Sequence, residues 1–161
     1  MGYLNFKNET VEKVFRRFKW TRNNTLEILD IVKEKDALEL ELPIKNSDFE
    51  FKNILFQFQC IATTTDSYRR KIINHKNKNF GILISEGVVH KKEEIGEQKI
   101  AVLLKNQISD FEKLFKNQDE QNLIDLIKVI DHEHMHHGEL ILMLRANDID
   151  LPKRFIKSWN L

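Results

Sequence analysis

Pro43 and Pro152 are the only prolines in the chain, so the long stretch between them lacks the residue that breaks helices most strongly. Long helices fit there, and the apolar spacing asks for them. From Asn8, a helix-capping residue type, Val11, Val14, Phe15, Phe18, Leu26, Leu29 and Val32 recur mostly at steps of three and four, which predicts a first helix. Ser47-Asp48-Phe49-Glu50 has the form of a capping box. After it Phe51, Ile54, Leu55, Phe58, Ile61, Ala62, Thr65 and Tyr68 keep one face of a second helix. Ile100, Leu103, Leu104, Ile108, Phe111 and Phe115 predict a third, which breaks at Asn117-Gln118-Asp119-Glu120. From Leu123 to Leu144 a fourth helix carries two adjacent lines. One holds Ile124, Ile127, Ile130, Ile141 and Leu144; the other holds Val129, His132, His136, Leu140 and Met143.

Between Asn74 and Gly96 lie three of the five glycines together with Ile82-Leu83-Ile84 and Val88-Val89, which predicts a long crossover with some extended structure. Each apolar stripe needs a partner to bury it. The expected architecture is therefore all-α, a four-helix bundle with a long crossover between helices two and three, forming one domain over residues 1–161.

Charge and composition exclude several function classes. With 26 basic and 25 acidic side chains the formal charge is +1, too balanced for a broad nucleic-acid surface. No apolar run approaches the roughly 20 residues of a membrane span, and the first residues show no apolar signal segment, so a cytoplasmic protein is expected. Cys60 is the only cysteine; it allows no internal disulfide and no thiol cluster, so a metal site is expected to draw on other residues.

Four of the six histidines fall within His132-Glu133-His134-Met135-His136-His137. His132 and His136 are one helical turn apart and project from the same face, so both imidazoles can reach one ion. Zinc, nickel, iron and manganese all accept neutral imidazole, and helical bundles place such ligands on inward positions of several helices. His134 and His137 lie off that line and are expected to support the pair, an interface or the surface. The same residues satisfy H-E-x-x-H, in which Glu133 would be the general base of a zinc protease. No third zinc ligand motif follows, so this is the lesser alternative. Gly138 interrupts the helix at a cost of about 1 kcal/mol relative to alanine, which suggests close helix approach or access to the site. Tyr68-Arg69-Arg70-Lys71 reads either as an anion site or as a basic last turn that complements the helix dipole.

His132-Glu133-His134-Met135-His136-His137-Gly138-Glu139-Leu140, followed by Leu144-Arg145 and Pro152, resembles the DinB-like (YfiT-like) family, whose signature has the form H-E-x-x-H-x-G-Q-L. Phe15, Trp20, Asn23, Asn24 and Leu26 resemble the family's first helix. Glu139 stands where the family usually has glutamine, and Asn147 where glycine often sits. The resemblance implies a four-helix bundle with a divalent transition metal, and, since some relatives are thiol-dependent transferases or isomerases, an enzyme in which the ion activates water or a small-molecule thiol, a metal-dependent hydrolase or thiol-dependent transferase. It also implies a third ligand on the second helix, where Phe51-Lys52-Asn53-Ile54-Leu55-Phe56-Gln57-Phe58 puts Gln57 in the place of a histidine, with Gln59 as a second candidate. The expected ligands are His132, His136 and Gln57, and an amide oxygen in place of imidazole lowers the expected affinity. The alternative is a non-catalytic bundle with a degenerate site, acting as a homodimer through the apolar surplus of its fourth helix.

Overall fold

The structure is a computed structural model, described for residues 6–41, 53–74, 80–85 and 88–159. The described chain is mostly helical, in the order α1 (Glu9–Glu34), α2 (Ile54–Asn74), β1 (Ile82–Ser85), β2 (Val88–Lys91), α3 (Glu97–Phe115), α4 (Leu123–Ala146) and α5 (Lys153–Trp159). Asn8 caps α1 as its sequence position suggests, its side chain accepting from the amide of Val11 at 3.0 Å. The capping box at Ser47–Glu50 lies outside the described residues. At the start of α2 the amides of Ile54 and Leu55 bond the carbonyls of Leu40 and Leu38, and the Asn53 side chain accepts from Phe56 N. These bonds satisfy donors that an uncapped helix start would leave unpaired.

The extended structure expected before α3 is an antiparallel hairpin, with Ile82 opposite Lys91 and Leu83 opposite His90. α1 and α2 each pack against both α3 and α4. Two apolar clusters result. Val11, Phe15, Phe18, Tyr68, Phe111, Phe115, Leu126 and Val129 build one, and Ile28, Leu29, Ile54, Phe58, Ile61, Ile100, Leu104, Leu140 and Met143 build the other.

A polar layer divides the two clusters. Arg22 lies between Phe18 and Ile28 on α1, Thr65 between Ala62 and Tyr68 on α2, Gln107 between Leu104 and Phe111 on α3, and Glu133 between Ile130 and Leu140 on α4. The four meet. The fully buried Arg22 donates to both carboxylate oxygens of Glu133 at 2.9–3.1 Å, to Gln107 Oε1 at 2.6 Å and to Thr65 Oγ1 at 2.8 Å. Gln107 in turn donates to the Ala62 carbonyl at 2.7 Å. A planar guanidinium with five donors suits a position where three neighbouring helices present acceptors at one level.

The structure corrects two sequence expectations. Ile124 and Ile127 are solvent-facing, at 54% and 36% exposure, so the buried face of α4 is narrower than two full lines. It runs instead through Leu126, Val129, Ile130, Glu133, His136, His137, Leu140, Met143 and Leu144. A Cβ added to Gly138 would meet nothing within 4 Å, so this glycine serves no close helix approach. The tail after Pro152 forms α5, whose Phe155 is fully buried in the second cluster. A seven-residue helix is marginal in isolation, and packing rather than local propensity forms it.

Candidate metal centre

α2 and α4 pack side by side, and their facing turns bring Cys60, His132 and His136 together. His132 Nε2 lies 3.2 Å from His136 Nε2 and 3.8 Å from Cys60 Sγ, and one ligand atom from each residue lies within 4.8 Å of the other two. Bonds of about 2.0–2.1 Å to nitrogen and about 2.3 Å to sulfur at tetrahedral angles separate two nitrogens by about 3.4 Å, and nitrogen from sulfur by about 3.6 Å. The observed spacings fit. One thiolate with two imidazoles is also a donor set that zinc and its neighbours accept.

Cys60 was set aside in the sequence because a lone cysteine makes no thiol cluster; the fold shows that a mixed site needs only one. Gln57, Cys60 and Thr64 follow one another at helical spacing along α2, which sets them on one face, but nothing within α2 says that this face meets His132. Gln57 is brought to the same place but meets a different atom. Its Oε1 lies 2.7 Å from Nδ1 of His136, the ring nitrogen opposite the one facing His132. Glu139 Oε2 lies 2.6 Å from that same Nδ1. A carboxylate can only accept here, so Nδ1 carries the proton and Nε2 faces the cluster. Gln59 is turned elsewhere, donating to the Ile95 carbonyl at 2.9 Å. Thr64 Oγ1 stands 3.4 Å from His132 Nε2.

The electrostatics follow from this packing. Burial pushes the Cys60 thiol up, but hydrogen bonds and charge from His132 and His136 outweigh it and bring it down to about 6. Burial pushes His136 down, and Cys60 with Glu139 outweighs that and raises it to about 9. Without a metal the two residues form a thiolate–imidazolium pair.

The rest of the histidine run serves the interior. Glu133 is fully buried, ion-paired with Arg22 and hydrogen-bonded by the Thr25 hydroxyl. His137 is also fully buried, with Nε2 2.7 Å from Thr25 Oγ1, and burial brings its pKa down to about 4. His134, half-buried, meets Thr21 Oγ1 at 3.0 Å. The basic turn at the end of α2 is engaged with carboxylates of the chain: Arg69 and Arg70 pair with Asp66, and Lys71 with Asp125.

Comparison with known protein families, with curated proteins and with solved structures finds no match.

Proposed function

We propose that this chain is a metal-dependent enzyme of the DinB-like kind, its four long helices forming a single bundle around a divalent transition-metal centre held by Cys60, His132 and His136. The observation that carries this reading is the convergence of one thiol and two imidazoles at ligand spacing on facing helices. Three protein ligands leave a position open, the arrangement of catalytic rather than closed structural zinc sites. Such an ion supplies Lewis acidity and a bound water or thiol of lowered pKa, the chemistry of a hydrolase or a thiol-dependent transferase. The protein's part is to hold the ligands. Gln57 and Glu139 fix the His136 ring through Nδ1 so that Nε2 presents its lone pair, and the Cys60 thiolate contributes the negative charge. A cleft of about 370 Å³ lined by Glu39, Leu55, Phe56, Gln59 and Glu93 opens beside the first turns of α2.

Glu133 weighs against the protease alternative, because the general base that reading needs is enclosed and neutralised by Arg22. One observation favours the non-catalytic reading: Ile124, Met135 and Leu142 are about half exposed along the outer face of α4, where a homodimer would bury them. No helix among the described residues is long and apolar enough to cross a membrane.

The test is metal loading after chelation. With cobalt(II), the wild type is expected to bind one ion per chain and show a thiolate-to-metal charge-transfer band. Cys60→Ser should lose the band, and His132→Ala and His136→Ala should lose the ion. A wild type that takes up neither cobalt nor zinc sinks the proposal.

A further inference from the structure

On the side of α4 away from Cys60, four buried polar atoms have no hydrogen-bond partner among the described residues: Nδ2 and Oδ1 of Asn24, Nδ1 of His137 and Nε1 of Trp159. They come from α1, α4 and α5. Buried polar groups are nearly always paired, so four orphans in one locality call for an explanation.

They belong to one locality because α5 lies across α1 and α4. The His137 ring is 5.2 Å from Phe155 and 6.0 Å from Trp159, and the His134 ring is 5.5 Å from Trp159. Thr21 and Thr25 on α1 bond the His134 and His137 rings, and Asn24 sits between them in the same turns. One turn further, Glu27 pairs with Arg154 of α5 at 3.1 Å, and Ile28 shares an apolar cluster with Phe155. Asn24, fully buried, therefore lies on the stretch of α1 that faces α5.

The hydrogen bonds decide what each orphan offers. Thr25 has one hydroxyl proton, and the Glu133 carboxylate against it can only accept, so the proton goes to Glu133. Thr25 Oγ1 must then accept from His137 Nε2–H, which leaves Nδ1 of the neutral ring as a bare lone pair. Together the three side chains therefore offer two acceptors, His137 Nδ1 and Asn24 Oδ1, and two kinds of donor, the Trp159 indole N–H and the Asn24 amide N–H. A metal cation is refused by the donors and an anion by the lone pairs. An alcohol has only one proton to give. Water has two of each.

We propose that a single internal water molecule is held between Asn24, His137 and Trp159, donating to His137 Nδ1 and Asn24 Oδ1 and accepting from Trp159 Nε1 and Asn24 Nδ2. It joins α5 to α1 and α4, and it accounts for three polar side chains beneath an aromatic cover. Internal waters with this many partners are structural components and costly to remove. The inference does not depend on the metal centre.

The test is a crystal structure of the full chain at a resolution that defines ordered water. The expected result is one peak within about 2.7–3.2 Å of polar atoms from all three residues, absent from the same crystals of Asn24→Leu. Direct pairing of the Asn24 amide with His137 or Trp159 and no peak between them overturns the proposal. So does a peak that touches fewer than two of the three residues, or anomalous signal from a metal at that position. The wild-type map decides even if Asn24→Leu fails to fold.

Discussion

Replacing Arg22 by methionine should test the polar layer most directly, because it keeps much of the apolar stem while removing the guanidinium. The Arg22 side chain is 0% exposed and that of Glu133 1%, so the carboxylate left behind could neither reach water nor find another cation. Gln107 and Thr65 would lose their donor as well. Removing one partner of a buried ion pair costs about 3–5 kcal/mol. Against a typical stability of about 5–15 kcal/mol, that is about a fifth or more of the total. For a chain of this size each kcal/mol moves Tm by about 2–4 °C, so a fall of about 6–20 °C is expected. The double variant Arg22→Met/Glu133→Leu should recover part of the loss, since apolar replacement of a buried pair is often neutral. What remains reflects Thr25, Thr65 and Gln107 deprived of partners, at about 1 kcal/mol each. Urea unfolding followed by circular dichroism, with equal m values, measures both. A single-variant cost below about 1 kcal/mol, or a double variant less stable than Arg22→Met, would refute the reasoning.

Three further outcomes are expected. In chelated protein, Cys60 alkylation should reach half its maximal rate near pH 6 rather than near the ordinary 9.0, and His136→Ala should move that midpoint upward. The same shifts carry stability. The contribution of Cys60, whose pKa is depressed, is complete above about pH 9 and lost as pH falls through about 6. That of His136, whose pKa is raised, is complete below about 6.5 and lost as pH rises through about 9. Unfolding midpoints of the chelated protein across that range check the pairing. Glu139→Gln should weaken zinc binding by about 10–100-fold, measured by competition with a chelating dye, because the His136 ring loses its anionic acceptor; unchanged affinity would remove Glu139 from the site. Gly138→Ala should stabilise the protein by about 1 kcal/mol, since the added methyl meets open space on a helix surface. A loss of stability there would mean that the glycine serves packing after all.

The long helices were legible because burial imposes a period that the apolar residues display, as Val11, Phe15 and Phe18 do on α1. The His132/His136 pair was legible for the same reason, being two positions of one turn. Cys60 was not. Its meaning depends on which turn of α2 faces His132, and no spacing within one helix encodes the register between two. The apolar lines of α4 misled in the same way, since Ile124 and Ile127 continue the pattern into solvent where no neighbouring element covers them.

Arg22 and Asn24 read as ordinary polar positions of a helix, and only the packed structure shows the one joined to three other helices and the other fully buried on the stretch of α1 that faces α5. The chain by itself determined its four long helices and the histidine pair, because those follow from local geometry and from the period of burial. The third member of the cluster, the polar layer and the aromatic cover were decided by tertiary packing. That packing sets distances between residues far apart in sequence, and it removes the water that would otherwise satisfy their polar atoms.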